Sequence, residues 1–195
     1  MTKLAVHIIL DRSGSMASIK DDAIGGLNSY IKTLEPDTKV WLTMFDSTSI
    51  DTTIHGQAAA TIEKITFEPR GMTPLYDAIG RIIPSLEAAD ADNKALVILT
   101  DGRENHSREY TKDAILKLLT EKQEKDNWLV LYLGANQDAF QEGSRIGTVS
   151  MNTMDFAPTK MREAFSSTAQ ATIRYGNTGS REAAAFTPEE RQAAL

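Results

Sequence analysis

The stretch AVHIILDRSGSM, running from Ala5 to Met16, decides how the rest of the chain is read. An apolar run from Leu4 to Leu10 stops abruptly at Asp11, Arg12, Ser13, Gly14 and Ser15. Seven residues are too few to cross a membrane and too β-branched for a helix, so the run reads as a buried parallel strand. The polar cluster then sits where that strand leaves the sheet. In open α/β sheets, ligands bind at the carboxyl ends of the strands. Asp11, Ser13 and Ser15 place one carboxylate and two hydroxyls within five residues, and Gly14 lets the backbone turn between them. Such oxygens, with no Cys or His among them, suit a hard divalent cation.

Composition narrows the field. A chain of 195 residues has room for one domain with a proper core, and two would be cramped. Its 41% apolar and 25% charged residues are ordinary for a globular protein. A formal charge of −6, with no run of Lys or Arg, argues against a nucleic-acid partner. The chain has no cysteine, which removes disulfides, a thiolate nucleophile and a zinc–thiolate site. The first apolar run contains His7 and ends in Asp-Arg, so it is neither signal peptide nor anchor. A cytoplasmic location without a membrane partner is therefore expected.

Outward from the first strand, strand and helix signals alternate. Ile24, Leu27, Ile31 and Leu34 recur at helical spacing and are closed off by Pro36. Val40 to Phe45 reads as a second strand, and Ile50 to His55 as an antiparallel edge strand. Gln57 to Arg70 is either a short helix or a lid. Leu75, Ile79, Ile82, Ile83 and Leu86 predict a helix with Thr73 as N-cap and Pro74 at its first position, kinked or shortened at Pro84. Ala95 to Thr100 is a second apolar run ending in Asp, followed by a loop and a helix over 111–122. Trp128 to Leu133 predicts a strand, Ala135 to Gly143 a helix, and Thr148 to Met151 a short strand. A last substantial helix carries Met161, Phe165 and Thr168 on one face and is expected to end at Gly176. The signal fades over 177–185, before a capping box at Thr187-Pro188-Glu189-Glu190 opens a short terminal helix. The pattern is that of one layered α/β domain with helices on both faces of the sheet.

If the strands Leu4–Leu10 and Ala95–Thr100 lie side by side, the loops bearing Asp11, Ser13 and Ser15, then Thr73, then Asp101 meet at one end of the sheet. Three of those five ligands are neutral hydroxyls, so a divalent ion there would be under-neutralised. Water and one outside ligand would complete the octahedron that Mg2+ prefers. Such a site grips an acidic residue of a partner and needs no nucleophile.

Asp-Arg-Ser-Gly-Ser-Met at 11–16, Gly-Met-Thr-Pro-Leu-Tyr-Asp-Ala-Ile at 71–79 and Leu-Thr-Asp-Gly-Arg-Glu-Asn at 99–105 resemble the von Willebrand factor A (VWA) domain and its metal-ion-dependent adhesion site. The resemblance covers residues 3 to 175. It implies a three-layer Rossmann-like α/β fold, with a mostly parallel sheet of about six strands and one antiparallel edge. With few large apolar groups over 177–185, the chain is expected to divide into a domain over 1–176 and a loosely held linker with a short docked helix over 177–195. Ser13, Ser15 and Thr73 would be metal ligands, with Asp11 and Asp101 coordinating directly or through water. The ion would be Mg2+ or Mn2+ in preference to Ca2+, and the partner a protein presenting Asp or Glu. Met72 departs from the pattern, since many members have a second glycine before the threonine.

The resemblance implies a non-enzymatic binding module with no small-molecule substrate. Two other readings stand beside it: a metal-dependent phosphohydrolase attacking through Asp11, and a scaffold with a vestigial site. A dehalogenase-like enzyme would want an acid where Ser13 stands, and no GxxxxGK[ST] phosphate loop precedes LVILTD. Around the site, Asp46 reads as a turn residue and Asp77 as an outer or surface acid. His7 reads as a hydrogen-bonded core histidine, His106 as a solvated loop residue, and Trp41 and Trp128 as core. Arg103, Glu104 and Asn105 belong either to a partner surface or to a solvated loop.

Overall fold

The computed structural model describes residues 3–135 and 138–195. Six strands form one sheet in the order β3-β2-β1-β4-β5-β6. They are β1 Leu4–Asp11, β2 Lys39–Phe45, β3 Ile50–Ala58, β4 Asn93–Thr100, β5 Leu129–Ala135 and β6 Thr153–Phe156. All neighbours pair parallel except β2 and β3, so β3 is the antiparallel edge. β1 lies at the switch point, with its chain order reversing on either side. Leu10 faces Leu99 of β4 and Asp11 faces Phe45 of β2, which brings the carboxyl ends of three strands level.

Every residue of β1 is buried, as expected of a strand covered on both faces. Side chains alternate across the sheet. Val6, Ile8 and Leu10 pack beneath α1 (Lys20–Thr33) and α5 (Met161–Thr178), together with Leu27, Ile31 and Phe165. Ala5 and Ile9 pack on the other face beneath α2 (Leu75–Glu87) and α3 (Lys112–Lys125), against Ile79, Ile82 and Leu119. This is the three-layer Rossmann-like architecture of VWA domains. Among the described residues no helix is long and apolar enough to cross a membrane.

Several boundaries move. β3 runs on to Ala58, and a single 3-10 turn follows at Ala59–Thr61. Beyond it the chain is extended and irregular, with Ile65 and Phe67 buried against the α1 side of the core. The residue capping α2 is Pro74, not Thr73, and no side-chain cap bond is made there. Pro84 lies in the last turn of α2 without ending it, and the helix runs on to Glu87. The fourth helix, α4, covers only Ala139–Arg145, and the expected helical residues Asn136 and Gln137 lie outside the described ones. The last strand is Thr153–Phe156; Thr148 and Val149 precede a 3-10 turn at Ser150–Asn152.

α5 passes through Gly176 and ends at Thr178, where Gly179 adopts φ 66°. Gly176 serves close packing instead: a Cβ there would lie 3.0 Å from Leu4 Cδ2. The segment beyond is pinned to the domain. Ala184, Phe186 and Ala194 are buried in the main core, and the Phe186 N–H donates to Met151 O at 2.9 Å. The terminal helix α6, Pro188–Ala193, opens with both reciprocal bonds of the Thr187/Glu190 capping box.

Candidate metal centre

The three loops after β1, before α2 and after β4 meet at the carboxyl end of the sheet. Asp11, the last residue of β1, is fully buried. Its Oδ1 accepts the Ser13 N–H at 2.7 Å and its Oδ2 the Thr100 hydroxyl at 2.6 Å. Ser13 Oγ and Ser15 Oγ are hydrogen-bonded at 3.0 Å, and Ser15 Oγ donates to Asp101 Oδ1 at 2.7 Å. Thr73, 2% exposed, joins the group from the second loop. Gly102 shows how tight the gathering is. A Cβ there would stand 3.2 Å from Thr73 Oγ1, 3.6 Å from Ser15 Oγ and 3.8 Å from Asp11 Oδ2. Oxygens from two further loops thus converge on the backbone of the third, and a side chain at 102 would fill the cradle between them.

The electrostatics of this cradle are one-sided. Burial pushes the Asp11 carboxyl up to about 6, against the opposing pull of the Thr100 and Ser13 hydrogen bonds, and the nearby Asp101 adds to the rise. Asp101 is raised as well, by burial, with the Ser15 hydroxyl opposing. A divalent cation would supply the missing positive charge. The donor set fits a hard ion: two carboxylates and three hydroxyls, all oxygen. Among the described residues no group of three or more His, Cys, Asp or Glu is arranged to hold a metal. A cation here would therefore rest on hydroxyls as much as on charge, leaving positions for water and an outside ligand.

The loops are held by residues whose roles the sequence did not disclose. Asn105 Oδ1 accepts the Thr73 N–H at 2.9 Å, and the Asn105 N–H donates to Thr73 O at 3.1 Å. Glu104 accepts the N–H groups of His106, Ser107 and Tyr76 and the Ser107 hydroxyl, so it staples its own loop to α2. Asp77 is not a surface acid: it is buried and takes the N–H groups of Arg108, Glu109 and Tyr110. Asp46 does make an Asx turn, accepting from the Thr48 and Ser49 N–H groups. It also binds Arg12 Nε at 2.6 Å and Arg70 Nε at 2.9 Å, which a turn residue need not do.

Elsewhere the expectations meet the structure directly. His7 is a core histidine whose Nε2 is hydrogen-bonded to Thr43 Oγ1 at 2.8 Å. Trp128 is core, while Trp41 is only partly buried and stacks on His7. His106 is half-buried beside Arg108. Arg103 stays exposed, 3.4 Å from Glu142.

No family model matches the sequence, and no curated protein matches it. Solved structures do. The pilus adhesin SpaC from Lactobacillus rhamnosus GG superposes with a TM-score of 0.72 at 14% identity, over 89% of this chain and 30% of that one. Proximal thread matrix protein 1 from the mussel byssus gives 0.68 at 13% identity, over 88% and 47%. The vWF domain of the type V pili tip protein Mfa5 from Porphyromonas gingivalis gives 0.67 at 11% identity, over 90% and 96%. The chain thus spans about half the length of the mussel protein and nearly all of the Mfa5 domain. A further structure of the mussel protein has zinc in its metal-ion-dependent adhesion site. At these identities the likeness defines the fold, an open α/β sheet with helices on both faces. That fold is the VWA fold.

Proposed function

We propose that this chain is a divalent-cation-dependent protein-binding module whose Asp11, Ser13, Ser15, Thr73 and Asp101 hold Mg2+ or Mn2+. One observation carries the reading: hydroxyl and carboxylate oxygens from two loops gather around the backbone of Gly102 in the third, with a buried carboxylate among them whose hydrogen-bond partners are neutral. A cation held there would supply the positive charge that grips an Asp or Glu carboxylate of the partner. Ser15, exposed, and Asp101, half-buried, are the two of the five residues nearest to solvent. The fold supports the reading, since solved structures with it include a pilus adhesin and a byssal matrix protein. Both Asp11 oxygens are engaged in hydrogen bonds, which suits a ligand-orienting carboxylate better than a nucleophile.

The test is capture of partner from a native extract by the immobilised chain, with Mg2+ or with EDTA, beside Thr73→Ala. That substitution removes one neutral oxygen, keeps both carboxylates and costs no helix cap, because the residue at the N-cap of α2 is Pro74. Loss of the partner in EDTA and in a folded Thr73→Ala chain is the expected result. A folded variant that holds its partner as tightly as the wild type, with or without EDTA, overturns the metal bridge.

A further inference from the structure

Two of the loops facing the candidate metal are joined away from it, through a carboxylate that is not among the ligands. The Arg70 N–H donates to Arg12 O at 2.8 Å and the Gly14 N–H to Gly71 O at 3.0 Å, a backbone clip between the first loop and the second. Both arginines then turn to the hairpin between β2 and β3. Arg12 donates to Asp46 Oδ2, Ser49 Oγ and Asp51 Oδ2 at 2.5–2.6 Å. Arg70 donates to Asp46 Oδ2 at 2.9 Å and Ser49 Oγ at 3.1 Å. Ser47 Oγ accepts the Met72 N–H at 2.9 Å, one residue before Thr73. Asp46 itself has a side chain without solvent exposure and four hydrogen-bond donors, two of them guanidinium groups. A carboxylate has about four acceptor positions, so Asp46 is saturated and rigidly placed.

We propose that Asp46 is a positioning residue for the metal centre. It locks Arg12 of the first loop to Arg70 of the second, and so sets the spacing between the Ser13 and Ser15 hydroxyls and Thr73. The inference rests on the metal reading above, and it adds a residue that touches neither metal nor partner. Ligand spacing matters because Mg2+ demands near-ideal octahedral geometry. Residues behind the ligands typically contribute 10- to 100-fold in metal affinity.

Charge and position predict opposite signs at Arg70, which makes the test decisive. Arg70→Met removes a cation from the loop that carries Thr73, so electrostatics alone would tighten metal binding. Lost positioning would weaken it. The side chain is half-exposed at 52%, and the melting temperature reports that the variant is folded before its affinity is read. Mn2+ binding is measured by water-proton relaxation and Mg2+ binding by calorimetry, well below the melting temperature. We expect Arg70→Met to weaken both ions by about three- to tenfold, and Asp46→Asn by about 10- to 100-fold. The double variant Asp46→Asn/Arg70→Met restores the charge balance and should stay weak. A merely structural role would lower the melting temperature and leave the affinity of the folded protein unchanged. Unchanged or tighter binding in Arg70→Met, or wild-type affinity in the double variant, overturns the proposal while the metal reading stands. If Asp46→Asn fails to fold, Arg70→Met decides alone. A wild-type chain that binds neither ion overturns both readings.

Discussion

Asp11 closes β1 and Asp46 follows β2, so two buried carboxylates stand one strand apart at the same end of the sheet. Asp46 is met by two arginines and two backbone N–H groups. Burial alone would raise its carboxyl, but the Arg70, Thr48, Arg12 and Ser49 hydrogen bonds outweigh that and hold it below the usual carboxylate value. Asp11 is met by a hydroxyl and one backbone N–H, and its carboxyl is pushed up to about 6. Arg12 adjoins Asp11 in sequence, yet its side chain serves Asp46, since successive residues leaving a strand point opposite ways. The pair teaches how to read an acid at a strand end. Where the chain supplies its own cations, the acid is a finished structural pair. Where it supplies only neutral donors, the charge of the acid is not balanced within the chain.

Asp46 is where this contrast is most directly challenged. Asp46→Ala leaves Arg12, whose side chain is 11% exposed, without its main partner. Removing one member of a buried pair costs about 3–5 kcal/mol. Urea denaturation at pH 7 should show that loss, and a cost below about 1 kcal/mol, the worth of an exposed pair, would mean that Asp46 and its arginines are not a finished unit.

Metal should act on the other carboxylate and not on this one. Mg2+ at a hundred times its dissociation constant should stabilise the wild type by about 2.7 kcal/mol. For a domain of this size that is about 5–10 °C in melting temperature. Asp101→Ala should abolish the gain. A melt that ignores metal in both proteins would remove the basis for contrasting the two acids.

Asp11→Asn should do the reverse of Asp46→Ala when metal is absent. The rise of the Asp11 carboxyl from 3.8 to about 6 means that its charge opposes folding at pH 7. Since a tenfold change in proton affinity corresponds to about 1.36 kcal/mol, neutralising this carboxylate should stabilise the metal-free chain by roughly 1–3 kcal/mol. The variant should then gain nothing from Mg2+. Destabilisation without metal would show Asp11 to be as well paired as Asp46.

His7 adds a buried group that stays neutral. Burial, with a smaller contribution from His55, lowers its pKa to about 3. Below its ordinary value of 6.5 the unfolded chain takes up a proton that the folded chain refuses. Stability is therefore lost as pH falls from 6.5 toward 3. At about pH 5.5 the loss should be about 1.4 kcal/mol in wild type relative to His7→Gln, referenced to about pH 7.5. Parallel stability curves for the two proteins would show that His7 is protonated in the fold.

Much of the fold is legible along the chain because its strongest signals are local. β1, β4 and β5 announce themselves as near-continuous apolar runs, and α1 and α2 as stripes at helical spacing. The Thr187–Glu190 box forms as read, since all its partners lie within three residues of one another. What went astray depends on distant neighbours. Thr148 to Met151 is locally as strand-like as Thr153 to Phe156, but only the latter pairs, Tyr132 with Thr153 and Ala135 with Phe156. Thr73 looks like a helix cap, yet its backbone is committed to Asn105, 32 residues on.

The order of residues alone was enough to set the alternation of strands and helices, and to put oxygen-bearing side chains where two strands end. Both follow from burial pattern and turn chemistry, which act over a few residues. Which of two glycines ends α5 was a matter for the packed molecule: Gly176 must lie against Leu4, and of the two Gly179 takes the positive φ. Packing likewise brought Arg12 and Arg70 together on Asp46 and left Asp11 to neutral donors. Those partners lie 34 and 24 residues from Asp46 in the chain. Their meeting follows from strand order and register, and no local propensity encodes either.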